Sequence, residues 1–569
     1  MCTRLVLPIV AVAGLAPAAS PSPAAAPERI RTVLDAEANR IAAVEARQWE
    51  QVELTLASAR ARANPYSEVE LHLEFSGPRG ATLVRPAFWD GGATWRVRFA
   101  APRTGRWTWR SVCSDASDAG LHDRRGELTV TAYDGDHPLT RHGLLRMSPG
   151  GRNVVHHDGT PFLVVADTPW ALPFRGTPES VTEYARDRQA RGFNAALLMS
   201  VQPDREARGA RNRHEAGGFD VGFEDLPDGR LLRLRPEYFR HLDRLLKILH
   251  AHGIVPVLNP VFQGFGWKGQ STLGATADPR EYARYTRYLV ARYGARPALW
   301  LVSADGTGKE RVTGPAGLEV ERWDAYRQPT GIHYSPFDDR KADWTDDPRF
   351  GFHHNRSHQD ADWLDFQWCQ SGHGGEHLPN KVRLMHDNQP VKAVANGEPT
   401  YEGIRDPGNA AGWWQGHEAW LNLTAGGTMG IVYGAGGLWQ WKLFPDEPGW
   451  PAWADGPGRS WREAMRQPGS LHAARVGRAL AGCDFTDMTR LPDVSPQAVG
   501  RPGELYLVYL PEGGEVTLTG LRGDLPFRWF DPRTGRFADE GRVSPGSPTL
   551  ATPTREPWVL LAGRCAPAS

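Results

Sequence analysis

With 569 residues, and with Lys+Arg and Asp+Glu each totalling 66 for a formal net charge of zero, the chain is too long for one hydrophobic core, since cores stop growing at roughly 250–300 residues. It also carries no charge surplus that would recruit nucleic acid or an anionic membrane surface. Two or three domains are expected, and the 22 Trp and 10% aromatic content supply flat apolar faces that serve mostly as core and in places as platforms for planar-faced ligands.

The amino terminus reads Met1-Cys2-Thr3-Arg4, then an apolar run from Leu5 to Leu15, then Ala/Pro/Ser-rich sequence to about Pro27. That is the pattern of a secretory signal peptide and spacer over residues 1–27, and it predicts export to an extracellular or periplasmic compartment. The run is too short to anchor in a bilayer, and no later segment is long and apolar enough to span one. Cys2 precedes the apolar run and so does not read as a lipid-attachment site. Cys483 and Cys565 flank the last expected domain and are a candidate disulfide in an oxidising compartment, whereas Cys113 and Cys369 fall in different domains. No cysteine pair has metal-site spacing.

Residues 30–138 show short runs of alternating polarity at Val52–Leu56, Glu68–Phe75, Thr94–Phe99, Gly105–Arg110 and Gly126–Thr131. Period two with Gly, Pro and Asp breaks predicts an antiparallel β-sandwich. No acid, His or Cys cluster lies there, so the segment reads as a packing or carbohydrate-contacting module.

Between 145 and 470 the rhythm becomes strand, helix, strand. Strands are predicted at Phe162–Asp167, Phe193–Ser200, Ile254–Asn259, Ala298–Asp305, Thr330–Tyr334, Trp363–Trp368, Lys392–Glu398 and Gly430–Gly434, with helices over Val181–Arg191, Phe239–Gly253 and Arg280–Tyr293. Continuous apolar strands alternating with helices are the parallel-sheet signature, and eight of them close a (β/α)₈ TIM barrel. From 474 to 569 short strands return at Glu504–Leu510, Glu515–Thr519, Phe527–Gly535 and Trp558–Ala562, predicting a small β-sandwich. Asp531, in Trp-Phe-Asp-Pro-Arg-Thr-Gly, reads as a turn residue. The fold class is therefore multidomain, a central barrel flanked by two β-sandwiches.

In such barrels catalysis sits at the C-terminal ends of the strands. Asp305 ends the fourth strand and Glu398 the seventh, on roughly opposite sides of the mouth. Hydrolysing a glycosidic bond requires one carboxyl group to protonate the leaving oxygen and a second carboxylate to attack or stabilise the oxocarbenium-like centre, and these two acids fit that pair of demands. Other strand ends add Asp167, Trp170, Gln202, Asn259, His333, Tyr334, Gln370 and His373, the polar and aromatic set that a sugar site needs. Each also has a bland reading: Trp170 as a barrel cap, His333 as a hydrogen-bonded core histidine, Asp167 as an N-cap beside Thr168 and Pro169. Glu402 falls four residues after Glu398, in the loop, and reads as a supporting group for a sugar hydroxyl or for Arg405. The Gly434–Trp441 segment lacks the Lys-Ser/Thr of a phosphate loop, and Trp439 or Trp441 is placed to stack on a sugar.

Asp167-Thr-Pro-Trp170, the aspartate ending the fourth strand, Gln370-Ser-Gly-His373 and Asn396-Gly-Glu-Pro-Thr-Tyr-Glu-Gly403 together resemble the apiosidase-like glycoside hydrolases, secreted barrel enzymes of plant pectin breakdown. The resemblance covers roughly residues 145–470. It implies a retaining mechanism with Asp305 as acid/base and Glu398 as nucleophile, a preceding β-sandwich and a following collagen-binding-like sandwich. Relatives usually carry Gly-Gly where this chain has Ser303-Ala304, side chains that would narrow the pocket. The expectation is a secreted, exo-acting retaining glycosidase of a plant or microbial polysaccharide, with no cofactor and no nucleic-acid partner. Its rivals are a barrel glycosidase of arabinofuranosidase-like or galactosidase-like specificity, a carbohydrate-binding or adhesion protein with no need of an acid pair, and a metal-dependent hydrolase. The last needs clustered ligands, and its nearest candidates, His353, His354 and His358, read as a polar loop.

Overall fold

The computed structural model describes residues 40–203, 215, 221–263, 273–335, 356–373, 380–404, 412–447 and 458–565; the expected leader over residues 1–27 lies outside them. At its centre, eight parallel strands run Val164–Asp167, Ala195–Met199, Val255–Asn259, Leu299–Gly306, Thr330–Tyr334, Phe366–Gln370, Ala393–Glu398 and Gly430–Tyr433. They follow one another in chain order, and the eighth pairs with the first. Closure is completed where the Met429 amide donates to the Val394 carbonyl at 3.1 Å. Every residue of these strands is buried, because helices cover the outer face and side chains fill the inner one. That is why they read as unbroken apolar runs and not as alternating ones.

The covering helices have stops written locally. Thr177 accepts the Ser180 amide at 3.3 Å and caps Pro178–Arg191, whose end is a left-handed Gly192. Asp278 accepts the Arg280 and Glu281 amides at 2.9 and 3.2 Å and caps Pro279–Tyr293. Among the described residues, no helix is long and apolar enough to cross a membrane. Some strand starts differ from expectation: the first begins at Val164, since Phe162 pairs with Val154 in a separate short sheet, the second begins at Ala195, not Phe193, and the sixth begins at Phe366, not Trp363, because Trp363 and Leu364 are buried in the preceding turn, where the Leu364 amide bonds to Ala361.

The N-terminal region packs a five-stranded sheet against a three-stranded one. Leu73, Phe75, Trp107 and Leu128 from the first meet Leu54, Val97 and Phe99 from the second, with Phe75 and Phe99 stacked at 3.9 Å. Its first strand, Arg40–Arg47, pairs parallel with Arg125–Thr131, a departure from the all-antiparallel expectation. A short antiparallel sheet, Leu145–Met147, Val154–His156 and Pro161–Phe162, leads into the barrel.

The C-terminal region pairs a six-stranded sheet with a two-stranded one, and the Cys483–Cys565 disulfide ties its ends together. Asp531 accepts the Arg533 amide at 2.9 Å and is the turn residue expected of it. The helix Gly469–Leu480 packs on the helix Trp413–Thr424 and on the eighth strand. Trp420 in turn meets Tyr509 and Phe530, so the barrel core continues into the C-terminal sheet.

A buried ionic knot fixes the N-terminal region to the barrel. Arg292, fully buried, lies 3.0 Å from Asp90 and 2.6 Å from Asp243, and Arg98 lies 2.8 Å from Asp243. Burial opposes ionisation of Asp243, yet the two guanidiniums outweigh it and hold the carboxyl below its ordinary range. Asp243→Ala should therefore cost about 3 kcal/mol in chemical denaturation, because it removes the carboxylate shared by two buried cations and leaves Arg292 only Asp90 and Arg98 only Glu53. A cost below about 1 kcal/mol, the value of an exposed pair, would show the knot to be ornamental.

Candidate active site

The fourth strand does not end as a regular strand. Its register against the fifth shifts between Ala304 and Gly306, and Asp305 between them adopts φ 55°. A left-handed non-glycine residue costs of order 1–3 kcal/mol and persists only when its surroundings hold it; aspartate tolerates the region better than most. Two contacts hold it here. The Asp305 amide donates to His333 Nδ1 at 3.4 Å, and the next residue must be glycine, because a Cβ at 306 would lie 2.9 Å from Gln263, Glu310 and Ser303. The bulge turns the Asp305 carboxyl into the mouth, where its Oδ1 finds no hydrogen-bond partner among the described residues. Burial, then the charges of Glu398 and Glu310, push this carboxyl well above the ordinary aspartate range, so it keeps its proton.

Glu398 ends the seventh strand and is 8% exposed. His373 Nε2 lies 3.0 Å from its Oε1 and His333 Nε2 3.6 Å from its Oε2. Since His333 Nδ1 accepts the Asp305 amide, the proton of the neutral ring sits on Nε2, facing Glu398. Burial lowers the His333 pKa, against the opposing charge of Glu398. One side chain thus stands between both acids: it bonds the backbone of one, while its Nε2, without a hydrogen-bond partner among the described residues, lies 3.6 Å from the carboxylate of the other.

An aromatic wall completes the site. Trp170 sits edge-on to His333 and to Phe262, with centroids 5.6 and 5.5 Å apart, and its indole N–H donates to the Tyr401 hydroxyl at 3.1 Å. Tyr401 packs on His373 at 4.4 Å. Gly434 permits this, since a Cβ there would fall 2.2 Å from the Tyr401 ring. Behind the wall Glu418, from the helix Trp413–Thr424, accepts the Thr400 amide at 3.1 Å and the Ser371 hydroxyl at 3.2 Å, tying together the loops that carry Glu398 and His373. Asn396 Nδ2 donates to the same Ser371 hydroxyl at 2.8 Å.

Several residues singled out from sequence stand elsewhere, and two need correcting. Asp167 is fully buried and paired with Arg188 at 2.5 Å, with the Tyr184 hydroxyl and Thr168 amide donating to it at 3.0 and 2.8 Å; it faces the helix layer, not a ligand. Tyr334, next to His333 on a strand, points the opposite way. Its hydroxyl donates to the Ser357 carbonyl at 3.2 Å and accepts from Gln367 at 2.9 Å. Glu402 has a supporting role of a different kind from the one expected: buried, it accepts the Tyr433 hydroxyl at 2.7 Å and the Gly469 and Gly412 amides, while Arg405 lies outside the described residues.

Among the described residues, Gln202 and Gln370 are buried at strand ends with unpartnered side-chain atoms, and Asn259 donates to the Leu301 carbonyl at 2.9 Å while its Oδ1 has no partner. Trp439 is 7% exposed beyond the eighth strand, its carbonyl held by the Ala171 amide. Trp441 is core, stacked on Trp461 at 4.3 Å. His353 and His354 lie outside the described residues, and His358 packs on Trp363 at 5.1 Å. Among the described residues no three His, Cys, Asp or Glu side chains are grouped to hold a metal.

The apiosidase-like catalytic domain matches residues 148–487 of the chain, and a domain of unknown function, DUF5060, matches residues 45–114. No curated protein matches. Among solved structures, a putative glycoside hydrolase from Bacteroides vulgatus ATCC 8482 is similar in fold, with TM-score 0.65 and 16% identity over 91% of this chain and 99% of that one. A glycoside hydrolase family 5 structure from the same organism has TM-score 0.59 and 19% identity over 74% of this chain and 93% of that one.

The two-sided placement of strand-end residues is testable. Asp167→Asn should weaken folding by a few kcal/mol, because the buried Arg188 is left only the part-exposed Asp187 as counter-charge, and should leave the pH profile of any activity unshifted. A variant of normal stability with altered ligand preference would return Asp167 to the site.

Proposed function

Because the chain belongs to the apiosidase-like glycoside hydrolase family, its catalytic domain covering more than half of the sequence, we propose that it is a secreted, exo-acting retaining glycosidase of a plant or microbial polysaccharide. The observation that carries the reading is the difference between the two acids. Asp305 is a buried acid whose pKa is raised well above the ordinary aspartate range by burial and by the charge of Glu398, whereas Glu398 is met by two imidazoles. That is the division a double displacement needs.

In the first step the anomeric carbon loses its glycosidic oxygen, which takes the Asp305 proton, as Glu398 attacks from the opposite face and becomes a glycosyl ester. In the second, Asp305, now a carboxylate, takes a proton from water, which displaces Glu398 and regenerates both groups. His333 and His373 orient the nucleophile, and no cofactor enters either step. The Cys483–Cys565 bridge suits an oxidising compartment and supports export. Residues 30–138 and 474–569 are read as flanking modules, the second collagen-binding-like. An arabinofuranosidase-like or galactosidase-like specificity fits the same acid pair. An adhesion protein has no use for an acid held in its protonated form beside a carboxylate.

Glu398→Gln should abolish turnover of every glycoside. Asp305→Asn should lose about 10²–10⁴-fold on substrates with poor leaving groups and little on activated aryl glycosides, with azide restoring turnover as a glycosyl azide. Equal, unrescued loss on all leaving groups would contradict these roles. NMR of the first-formed product should show the substrate's anomeric configuration; inversion would contradict a retaining mechanism.

The pH dependence follows from the same asymmetry. A carboxyl whose pKa is raised keeps its proton through the ordinary carboxylate range and loses it only as pH rises through the raised value. The alkaline limb of kcat/KM should therefore lie above the usual aspartate titration, near 3.9, and vanish in Asp305→Asn with an activated substrate. Persistence of that limb in the variant would assign it to another group.

A further inference from the structure

A second concavity joins the N-terminal region to the barrel. The connection from Ser58 to Pro65 and the strands bearing Trp89 and Trp95 face Glu224, Arg233 and Leu234 across a cleft of about 710 Å³, a size within the roughly 300–1,000 Å³ of small-ligand sites. Its barrel wall belongs to the segment between the second barrel strand and the helix Pro236–Ala251. Such segments lie on the C-terminal face, the end where Asp305 and Glu398 open.

The walls are tied together. Asn64 Nδ2 donates to the Leu232 carbonyl at 3.0 Å, Arg240 donates to the Asp90 carbonyl at 2.6 Å, and a Cβ at Gly91 would come 3.5 Å from the Pro236 side chain. The cleft is therefore preformed, and an occupant would not have to bring its two sides together.

Its chemistry is mixed in a particular way. Trp89 is half-buried and held through its indole N–H, which donates to the Gly92 carbonyl at 2.9 Å, so its ring carbons are what an occupant meets. Around it stand both signs of charge. Arg62 is fixed by Asp115 at 2.7 Å and by Asp118 at 3.5 Å, with its Nε unpartnered among the described residues, while Arg233 and Glu224 are exposed on the opposite wall. An aromatic face rimmed by planar donors and acceptors suits a sugar, whose C–H face packs on the ring while its hydroxyls bond at the edge. Arg60, which also lines the cleft, and Arg62 are both paired with Asp115, and Arg233 stands beside Glu224, so the charges at the rim are offset and give no preference to a polyanion.

We propose that this cleft is an accessory binding site for an uncharged stretch of a polysaccharide, holding the chain while its end is cut at the acid pair. The location of the cut rests on the function proposed above; the binding does not.

The test uses native affinity electrophoresis of the full chain, in a Glu398→Gln background so that the polymer stays intact, through gels containing in turn arabinoxylan, galactan, arabinogalactan and polygalacturonate. At least one neutral polymer should retard the protein, and Trp89→Ala and Arg233→Ala should each weaken that retardation roughly fivefold or more, the scale of an energetically important contact. With Glu398 intact, both substitutions should leave hydrolysis of small aryl glycosides unchanged. Should Trp89→Ala fail to fold, the exposed Arg233 decides alone. Retardation by no neutral polymer, retardation confined to polygalacturonate, or retardation indifferent to the folded variants would each overturn the assignment. Retardation by a neutral polymer without hydrolysis of any aryl glycoside would instead count against the proposed catalysis and leave the cleft standing.

Discussion

Two carboxyl groups brought together in a buried mouth cannot both ionise at low cost, because each charge loses hydration and repels the other. Asp305 and Glu398 are in that position, and much of the surrounding structure determines which of them keeps the proton. Asp305 is set on a left-handed bulge with an oxygen that has no partner among the described residues and with Glu310 adding a further negative charge. Glu398 follows a register shift of its own at Gly397, receives His373 and faces His333. The strand that ends in Asp305 thus places its carboxyl without a donor to Oδ1 among the described residues, and the one that ends in Glu398 places its carboxyl against two imidazoles.

That asymmetry depends on rigidity some distance away. Glu418 anchors the loops bearing Glu398 and His373, and Glu402 anchors the chain around Gly412 and Gly469 to the eighth strand. Three buried acids around the barrel, Asp167, Glu402 and Glu418, are spent on structure, each with its own donors. The ionic knot of Arg98, Arg292, Asp90 and Asp243 does the same at the junction with the N-terminal region. Barrel enzymes draw their sites from many loops, and here the loops are positioned by buried charge as much as by apolar packing.

The barrel was legible in the sequence because parallel strands covered on both faces leave unbroken apolar runs. The sixth slipped because Trp363 and Leu364 extend such a run into a turn. The strand Arg40–Arg47 carried no signal, since its Ala- and Glu-containing sequence suits a helix and only pairing with Arg125–Thr131 makes it a strand. Within the site, Asp305, Glu398, His333, His373 and Trp170 could be named from their strand-end positions. Asp167 and Tyr334 could not be assigned a face, because side-chain direction at a strand end turns on a single residue of register. Tyr401 lay within the noted motif without a role, and Glu418 was hidden in a helix where an acid is ordinarily a solvated residue; only its buried partners distinguish it.

The proton on Asp305 can be observed directly. Infrared difference spectra between the wild-type protein and Asp305→Asn, taken across a pH titration, isolate the carboxyl C=O stretch of that one residue. The protonated band should persist well above the ordinary aspartate pKa of about 3.9, and Glu398→Gln, which removes the neighbouring charge, should move its disappearance to lower pH. A band lost in the ordinary range, or one that Glu398→Gln leaves where it was, would contradict the coupling of the two acids.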